Sequence, residues 1–323
     1  MASSGGAIRT PEELVAALQP GQTGCFDAGT YSSTEVDVSK PGVTLESLPG
    51  KRATWDGRIV IAAAGVTIQS LNLDGTTGRL LSPPYDPQCH AVGGCTLPSL
   101  TIAGAGAKIY RNDITNAKGI CINAASYGGL TPDHFDIERN RIHDCKPANN
   151  HIHGIYVVDG ANGVIKYNVI FDNGDRGIQL YPHARDETIS YNTVDGNRTG
   201  LEFGGNGAMP ASNNTVTNNI FSFPSSSAAD STLGFGARFN VEAHWVGAIG
   251  SGNRVTGNCS YTNDTGQFSG TPAQSGFSTD GGFSVQDNIV ADPLYVDRGA
   301  KNFSLRHGSS CAGLGAPGDV VVP

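Results

Sequence analysis

A six-position phrase recurs through the middle of the chain: an apolar residue, two variable positions, Asn, one variable position and a second apolar residue. It reads Ile109-Tyr110-Arg111-Asn112-Asp113-Ile114, then Ile137-Glu138-Arg139-Asn140-Arg141-Ile142, Ile165-Lys166-Tyr167-Asn168-Val169-Ile170 and Ile189-Ser190-Tyr191-Asn192-Thr193-Val194. A weaker copy is Val216-Thr217-Asn218-Asn219-Ile220-Phe221. The spacings are 28, 28, 24 and 27 residues. A second phrase follows at variable distance: Gly119-Ile120-Cys121-Ile122, Gly154-Ile155-Tyr156-Val157, Gly177-Ile178-Gln179-Leu180 and Gly200-Leu201-Glu202-Phe203. Short β-branched segments with Asn and Gly turns at this period predict a solenoid whose repeats stack on one another. One Asn per coil suits a stacked turn, because Asn tolerates left-handed backbone and can hydrogen-bond the Asn of the next coil. The pattern is that of a parallel β-helix. A propeller would repeat at about 40 residues or more, with hairpin turns.

Composition agrees. Of 323 residues 44 are Gly, about twice the usual share. With 15% charged residues and few helix formers, bundles and coiled coils are excluded. Recurrent Val and Ile runs argue against disorder. No apolar run approaches the roughly 20 residues of a spanning helix, so no membrane partner is expected. The net charge is −8 with no Lys/Arg run, so the basic footprint of a nucleic-acid binder is missing. An acidic total still permits a polyanionic substrate, since a local cationic cleft can outweigh the average field.

No linker-like break divides the chain, and residues 1–323 are read as one domain. An open solenoid end needs a cover. Thr10-Pro11-Glu12-Glu13 is a capping box with Pro at the first helical position, so a capping helix is expected over residues 10–20, with Leu14, Val15 and Leu18 on one face. From about Asn263 the repeat fades, and residues 263–323 are expected to form an irregular coil and tail. Excursions at about 75–98, 123–133, 145–152, 205–213 and 223–233 would build a binding face. Seven cysteines show no CxxC zinc pattern. Cys89 with Cys95, Cys121 with Cys145 and Cys259 with Cys311 can pair, leaving Cys25 free; seven reduced, buried thiols are the alternative. The start, Met1-Ala2-Ser3-Ser4, reads as a mature secreted chain given a new start codon.

With these residues in view, the chain resembles the right-handed parallel β-helix superfamily of pectate lyases, alginate lyases and related polysaccharide-active enzymes. Gln19-Pro20-Gly21-Gln22 with Gly29-Thr30-Tyr31-Ser32 is similar to that superfamily's first coil, and Ala291-Asp292-Pro293-Leu294-Tyr295-Val296 to a bacterial ending. The resemblance covers roughly residues 8–315 and implies the fold more specifically than the activity. Some alginate and chondroitin lyases carry a Lys-Arg pair, the Arg closing a Leu-Arg-His-Gly stretch. The matching site here reads Leu180-Tyr181-Pro182-His183, so that pair is missing, and Leu305-Arg306-His307-Gly308 lies in the tail.

Stacking turns sequence into geometry, with equivalent residues of successive coils about 4.8 Å apart. Aligned on the Gly-Ile phrase, Lys118, His153, Arg176 and Thr199 form one row; Cys121, Tyr156, Gln179 and Glu202 a second; Asn123, Val158, Tyr181 and Gly204 a third. Ile120, Ile155, Ile178 and Leu201 point inward, which turns the second and third rows outward. Unpaired basic side chains do not stack in an apolar core, so a turn before the Gly is expected to swing the first row outside. The result is an exposed cationic strip that also carries His183 and Arg185. It is suited to binding a polyuronate carboxylate through bidentate Arg contacts. The reading that needs no ligand is a solvated charged face paired with Asp144, Asp172 or Asp175.

The chemistry that suits such a strip is β-elimination, in which a secreted, monomeric polysaccharide lyase abstracts the C5 proton of a uronate and protonates its O4 leaving group. Arg176 with Lys118 would neutralise the carboxylate, His153 act as base and Tyr156 or Tyr181 as acid, with base and acid exchangeable. Gln179, His183, Arg185, Glu202, His151 and Tyr85 would bind substrate, alginate being the first choice and pectate the second. Arg176→Ala and His153→Ala would then abolish activity with little effect on melting. No cofactor is required and no metal site is read. A calcium bridge through Asn150, Asp159 and Asp175, as in pectate lyases, stays open, whereas a His151, His153 and His183 site lacks paired acidic ligands. Rivals are a glycoside hydrolase, for which Glu202 and Asp159 are candidates while Asp144, Asp172 and Asp195 read as turn residues; a C5-epimerase; and a non-catalytic carbohydrate-binding β-helix.

Overall fold

The computed structural model describes residues 10–79, 97–146, 152–224, 239–262, 275–318 and 320. Each coil carries three short parallel strands, which stack into three faces. One coil runs Asp136–Glu138, Arg141–His143 and Ile155–Val157, and the next resumes at Val164–Lys166, directly beside Asp136–Glu138. Face I takes in Leu100–Ile102, Ile122–Ala124, Ile155–Val157, Arg176–Leu180, Thr199–Gly207 and Val241–Gly247. Face II holds Arg141–His143, Val169–Phe171, Thr193–Asp195 and their neighbours. Face III is a ten-stranded parallel sheet ending at Phe283–Gln286. The all-β, parallel β-helix expectation is met.

The core follows from alternation. In each three-residue strand the apolar residue facing inward stacks on its equivalent one coil away: Ile109, Ile137, Ile165, Ile189 and Val216 in one column, all fully buried. The recurring Asn turns out to work differently from the simplest expectation. The residue in left-handed conformation is the one before it: Arg111, Arg139, Tyr167 and Tyr191 have φ of 54°, 56°, 58° and 54°. That sharp bend points the Asn side chain inward. Asn112, Asn140, Asn168, Asn192, Asn219, Asn258 and Asn288 then form one ladder. From Asn140 onward each Oδ1 accepts the backbone and side-chain N–H groups of the Asn one coil earlier at 2.8–3.1 Å, and Asn112 Oδ1 accepts the Leu71 N–H at 3.1 Å. A non-Gly residue in this conformation costs roughly 1–2 kcal/mol, which a fully bonded buried amide column offsets. Asp144 and Asp172 are left-handed turn residues, as expected. Asp195 is not: it is fully buried and bonded to Arg298 and Ser222.

Both ends are covered. The helix Pro11–Ala17 is capped by Thr10, whose Oγ1 accepts the Glu13 N–H at 3.2 Å while Glu13 reaches back to the Thr10 N–H; Leu14, Val15 and Leu18 are buried beneath it. At the other end the repeat persists further than its sequence indicated, because Phe283–Gln286, Asn288 and Ile289–Val290 add a further coil. The tail then turns back over face II as an antiparallel pair, Tyr295–Asp297 with Asn302–Leu305. Phe303 packs 5.4 Å from Phe171, and the Tyr295 hydroxyl lies 2.8 Å from Ser222 Oγ. The disulfide Cys259–Cys311 ties this tail down, and Cys121–Cys145 closes a bend between faces II and I. Cys25 is free. Cys89 and Cys95 lie outside the described residues. The tail thus covers part of face II.

A third turn repeats the device with a difference. Asn213, like Asp186 before it, is left-handed, and Asn214 and Asn253 stack behind it. One coil earlier that inward place is taken by Glu187, only 1% exposed, whose N–H donates to Asn214 Oδ1 at 2.9 Å. Neither carboxyl oxygen finds a hydrogen bond of good geometry. Burial pushes this carboxyl up to about 8; the nearby Gly163 N–H and Arg185 only partly oppose it.

Two outcomes follow. Asn168→Ala removes the amide that bonds Ile137 O, Lys166 O and Asn192 Oδ1, so calorimetric unfolding should show a loss of roughly 3 kcal/mol or more. Glu187 binds its proton more tightly folded than unfolded, so its stabilising contribution is complete below its unfolded pKa of 4.5 and is lost as pH rises towards about 8. Glu187→Gln should therefore flatten the fall of Tm over that interval and raise Tm at its alkaline end.

Candidate active site

Outward positions of face I form a single row along the helix axis: Asn123, Tyr156, Gln179, Glu202 and Glu242, held in register by strand pairing. The residues before this row are set by a column of glycines. A Cβ on Gly154 would lie 2.7 Å from Gly177 O, one on Gly177 2.8 Å from Gly200 O, and one on Gly200 2.4 Å from Asn240 O. Only Gly allows the coils to close so tightly there. His153 and Arg176, one residue earlier, lie on the outward side with Glu202, as the sequence implied.

They are not exposed, however. His153 is 2% exposed and Arg176 6%. Arg176 donates through Nε and Nη2 to Glu202 Oε2 at 3.0 and 2.6 Å, and through Nη1 to Asp175 Oδ2. Arg198 Nε donates to Asp175 Oδ1 at 2.5 Å, and His153 Nδ1 lies 3.3 Å from Asp175 Oδ2. Gln179 Nε2 donates to Glu202 Oε1 at 2.6 Å. Like charges on neighbouring coils are thus reconciled from inside: two guanidinium groups and a histidine surround a fully buried aspartate. Burial works against the Asp175 charge, but Arg176, His153 and Arg198 together hold its carboxyl below the usual range. The same carboxylates hold the Arg176 guanidinium above its ordinary value despite its burial.

The more exposed side chains of face I sit above this layer. Tyr156 is half-buried, with its ring edge-on to His153 at a centroid distance of 5.4 Å. Burial, and then the neighbouring Tyr181 and Glu202, raise its hydroxyl pKa, so it stays protonated at neutrality. Tyr181 lies over Gly204, where an added Cβ would stand 2.4 Å from its Cδ2. His183 and Arg185 are half-buried beyond it, and His244 is exposed beside Gly204. Burial and Arg185 lower the His183 pKa.

Two corrections follow. Lys118 is exposed but stands outside the row: Ile122 pairs with Ile155, so the Gly119 phrase is two residues out of step with the Gly154 phrase. Asn123 accordingly belongs with Tyr156 in the second row. A two-residue slip keeps every side chain on its face, so alternation gives no warning of it. Second, Arg176 is saturated by protein carboxylates and does not present its fork to the groove. Both Asp175 oxygens accept from protein donors, and Asp159 accepts the Ser126 N–H at 2.8 Å. Among the described residues no three His, Cys, Asp or Glu side chains are grouped to hold a metal. His151, Tyr85 and Asn150 lie outside the described residues. Sequence reading missed Glu242 and Arg198. The Gly is absent from Asn240-Val241-Glu242-Ala243, and a long excursion separates it from Glu202, so only coil stacking exposes its place.

The comparisons can now be set beside this geometry. Residues 91–292 match the family described as "Right handed beta helix region". The chain belongs to this right-handed β-helix family. Among solved structures it is similar to pectate lyase Pel9A, with a TM-score of 0.55 and 11% identity over 92% of this chain and 83% of that one. It is more distantly similar to the periplasmic alginate epimerase AlgG (TM-score 0.32, 13% identity, 88% and 81% covered). A PL6 alginate lyase in complex with a trisaccharide stands at TM-score 0.35 and 12% identity, with 95% and 88% covered. No curated protein sequence matches the chain. At these identities the likeness concerns the fold.

The buried charges have a measurable consequence. Removing one partner of a buried ion pair strands the others, at about 3–5 kcal/mol. Asp175→Asn and Arg176→Ala should each lower Tm by several degrees in thermal unfolding, contrary to the neutral melting that an exposed strip would give.

Proposed function

We propose that the protein is a secreted polysaccharide lyase that cleaves a uronic-acid polymer by β-elimination along face I, alginate first and pectate second. The observation that carries this reading is the sequence of contacts Asp175, His153, Tyr156: a buried, ionised carboxylate beside a histidine whose ring lies against a protonated phenol at the groove. The fold shared with a pectate lyase and the two disulfides support it.

In this reading His153 takes the C5 proton, and the C5–H electron pair forms the C4–C5 double bond. The C4–O4 bond breaks with its electron pair on oxygen, which takes a proton from Tyr156. The raised Tyr156 pKa supports this assignment over its exchange, since a phenol that holds its proton serves as acid rather than base. Asp175 orients His153 and stabilises the imidazolium that forms. Arg176 is a positioning residue that fixes Asp175 and Glu202. Tyr181, His183, Arg185 and Gln179 line the path of the sugar chain, while Lys118 lies at its edge.

The test is a panel of alginate, pectate and neutral polysaccharides, read by the ultraviolet absorbance of the unsaturated sugar end. Wild-type protein should generate that signal on a polyuronate. His153→Ala and Tyr156→Phe should each lower kcat by about 100-fold or more. Reducing ends without the absorbance would replace the reading with hydrolysis, and inversion at C5 without cleavage would replace it with epimerisation.

A further inference from the structure

Arg176 is held by Asp175 and Glu202, which leaves open what meets the negative charge of a uronate on face I. The row continues past Glu202 to Glu242, on Val241–Gly247. Of the acidic and guanidinium side chains clustered here it is the most open: its side chain is 14% exposed, against 7% for Arg176, 2% for Glu202 and 0% for Asp175. The Thr199 hydroxyl donates to Glu242 Oε1 at 2.9 Å, which leaves Oε2 for a proton and a ligand. Arg176 Nε stands 3.9 Å from Oε1.

Among the described residues, the carboxylates of Asp175 and Glu202 stand against the guanidinium groups of Arg176 and Arg198, and Glu202 lies one coil from Glu242 in the same row. An ionised Glu242 would add a third carboxylate to this buried layer, and an arriving uronate a fourth. Among the described residues, the groups facing Glu242 are Glu202, Arg198 and Thr199 from the preceding coil and Arg176 from the coil before that. On the other side Phe277 and Ser278, both uncharged, pair with Val241. Burial and Glu202 push the Glu242 carboxyl up to about 7, against the pull of Arg176 and Arg198.

We propose that Glu242, as a neutral carboxylic acid, donates its O–H to the substrate's uronate carboxylate, so that an anionic sugar binds together with a proton. Such an acid–carboxylate bond is charge-assisted and needs no free cation. The proposal deepens the polyuronate reading and rests on it. It explains how a face whose Arg is already occupied can accept an acidic polymer. It also sets the sign of the pH effect, since binding weakens as pH rises and Glu242 loses its proton.

Titration calorimetry with short oligomers of guluronate and of galacturonate tests it, on the Tyr156→Phe protein to suppress turnover. Between about pH 6 and pH 8 the dissociation constant should rise about tenfold, and at the higher pH close to one proton should be taken up per oligomer bound. Proton uptake is read from the dependence of the heat on buffer ionisation, with Glu242 intact. Adding Glu242→Gln supplies an amide donor at every pH, so binding should persist, vary less than twofold with pH and take up no proton. The proposal is overturned if the pH dependence and uptake survive in the Gln variant, or if neither oligomer binds at either pH. Failure of the lyase reading is a separate result: oligomers bind with proton uptake, yet wild-type protein forms no unsaturated ends.

Discussion

The inward-pointing Asn behind a left-handed residue is the constraint from which the rest of this structure follows. Each bend turns the backbone sharply and would leave buried amide groups without partners. Stacking identical bends one coil apart satisfies them, as Asn112 through Asn288 do for one another. The ladder fixes the corner of every coil, so the strands between corners fall into parallel register. Side chains far apart in sequence then stand next to each other on one face. A break in the column would disturb the spacing of the Tyr156, Gln179 and Glu202 rungs as well as local stability.

On that scaffold the protein carries an unusual density of buried charge. Asp175, Arg176, Arg198 and Glu202 are each less than a tenth exposed. Buried ion pairs of this kind contribute little to net stability compared with a well-packed apolar core. Their effect here is geometric: they hold His153 and the Glu202–Glu242 row in fixed positions on face I. The aromatic and histidine groups over it, Tyr156, Tyr181, His183 and His244, are those that a sugar chain would meet first.

Much of this was legible in the amino-acid sequence. The Asn phrase announced the solenoid, Thr10-Pro11-Glu12-Glu13 announced the cap, and both observed disulfides join cysteines that could be paired by inspection. The row of His153, Arg176 and Thr199, with Tyr156, Gln179 and Glu202 beside it, also stacks as the Gly phrase indicated. What failed has identifiable causes. Lys118 was misplaced because alternating apolar residues look the same after a slip of two. Glu242 was missed because its coil lacks the Gly and follows a long excursion. The cations were read as exposed because alternation shows only that they face outward; that Asp175, one of the aspartates offered as a pair, draws them into a buried layer depends on how neighbouring coils stack.

Sequence by itself determined the period, the turn chemistry and the alternation of inward and outward residues, because these are local properties that each coil carries within its own length. Only the tertiary structure decided which charges are spent inside the protein and which face the groove. That depends on contacts between coils, where one carboxylate, Asp175, joins His153 from the coil before with Arg176 and Arg198. It also decided where the tail goes, since Tyr295 and Phe303 meet Ser222 and Phe171 of face II only once the coils have stacked. Repetition fixes the frame, and the non-repeating residues, brought together only by stacking, make the site.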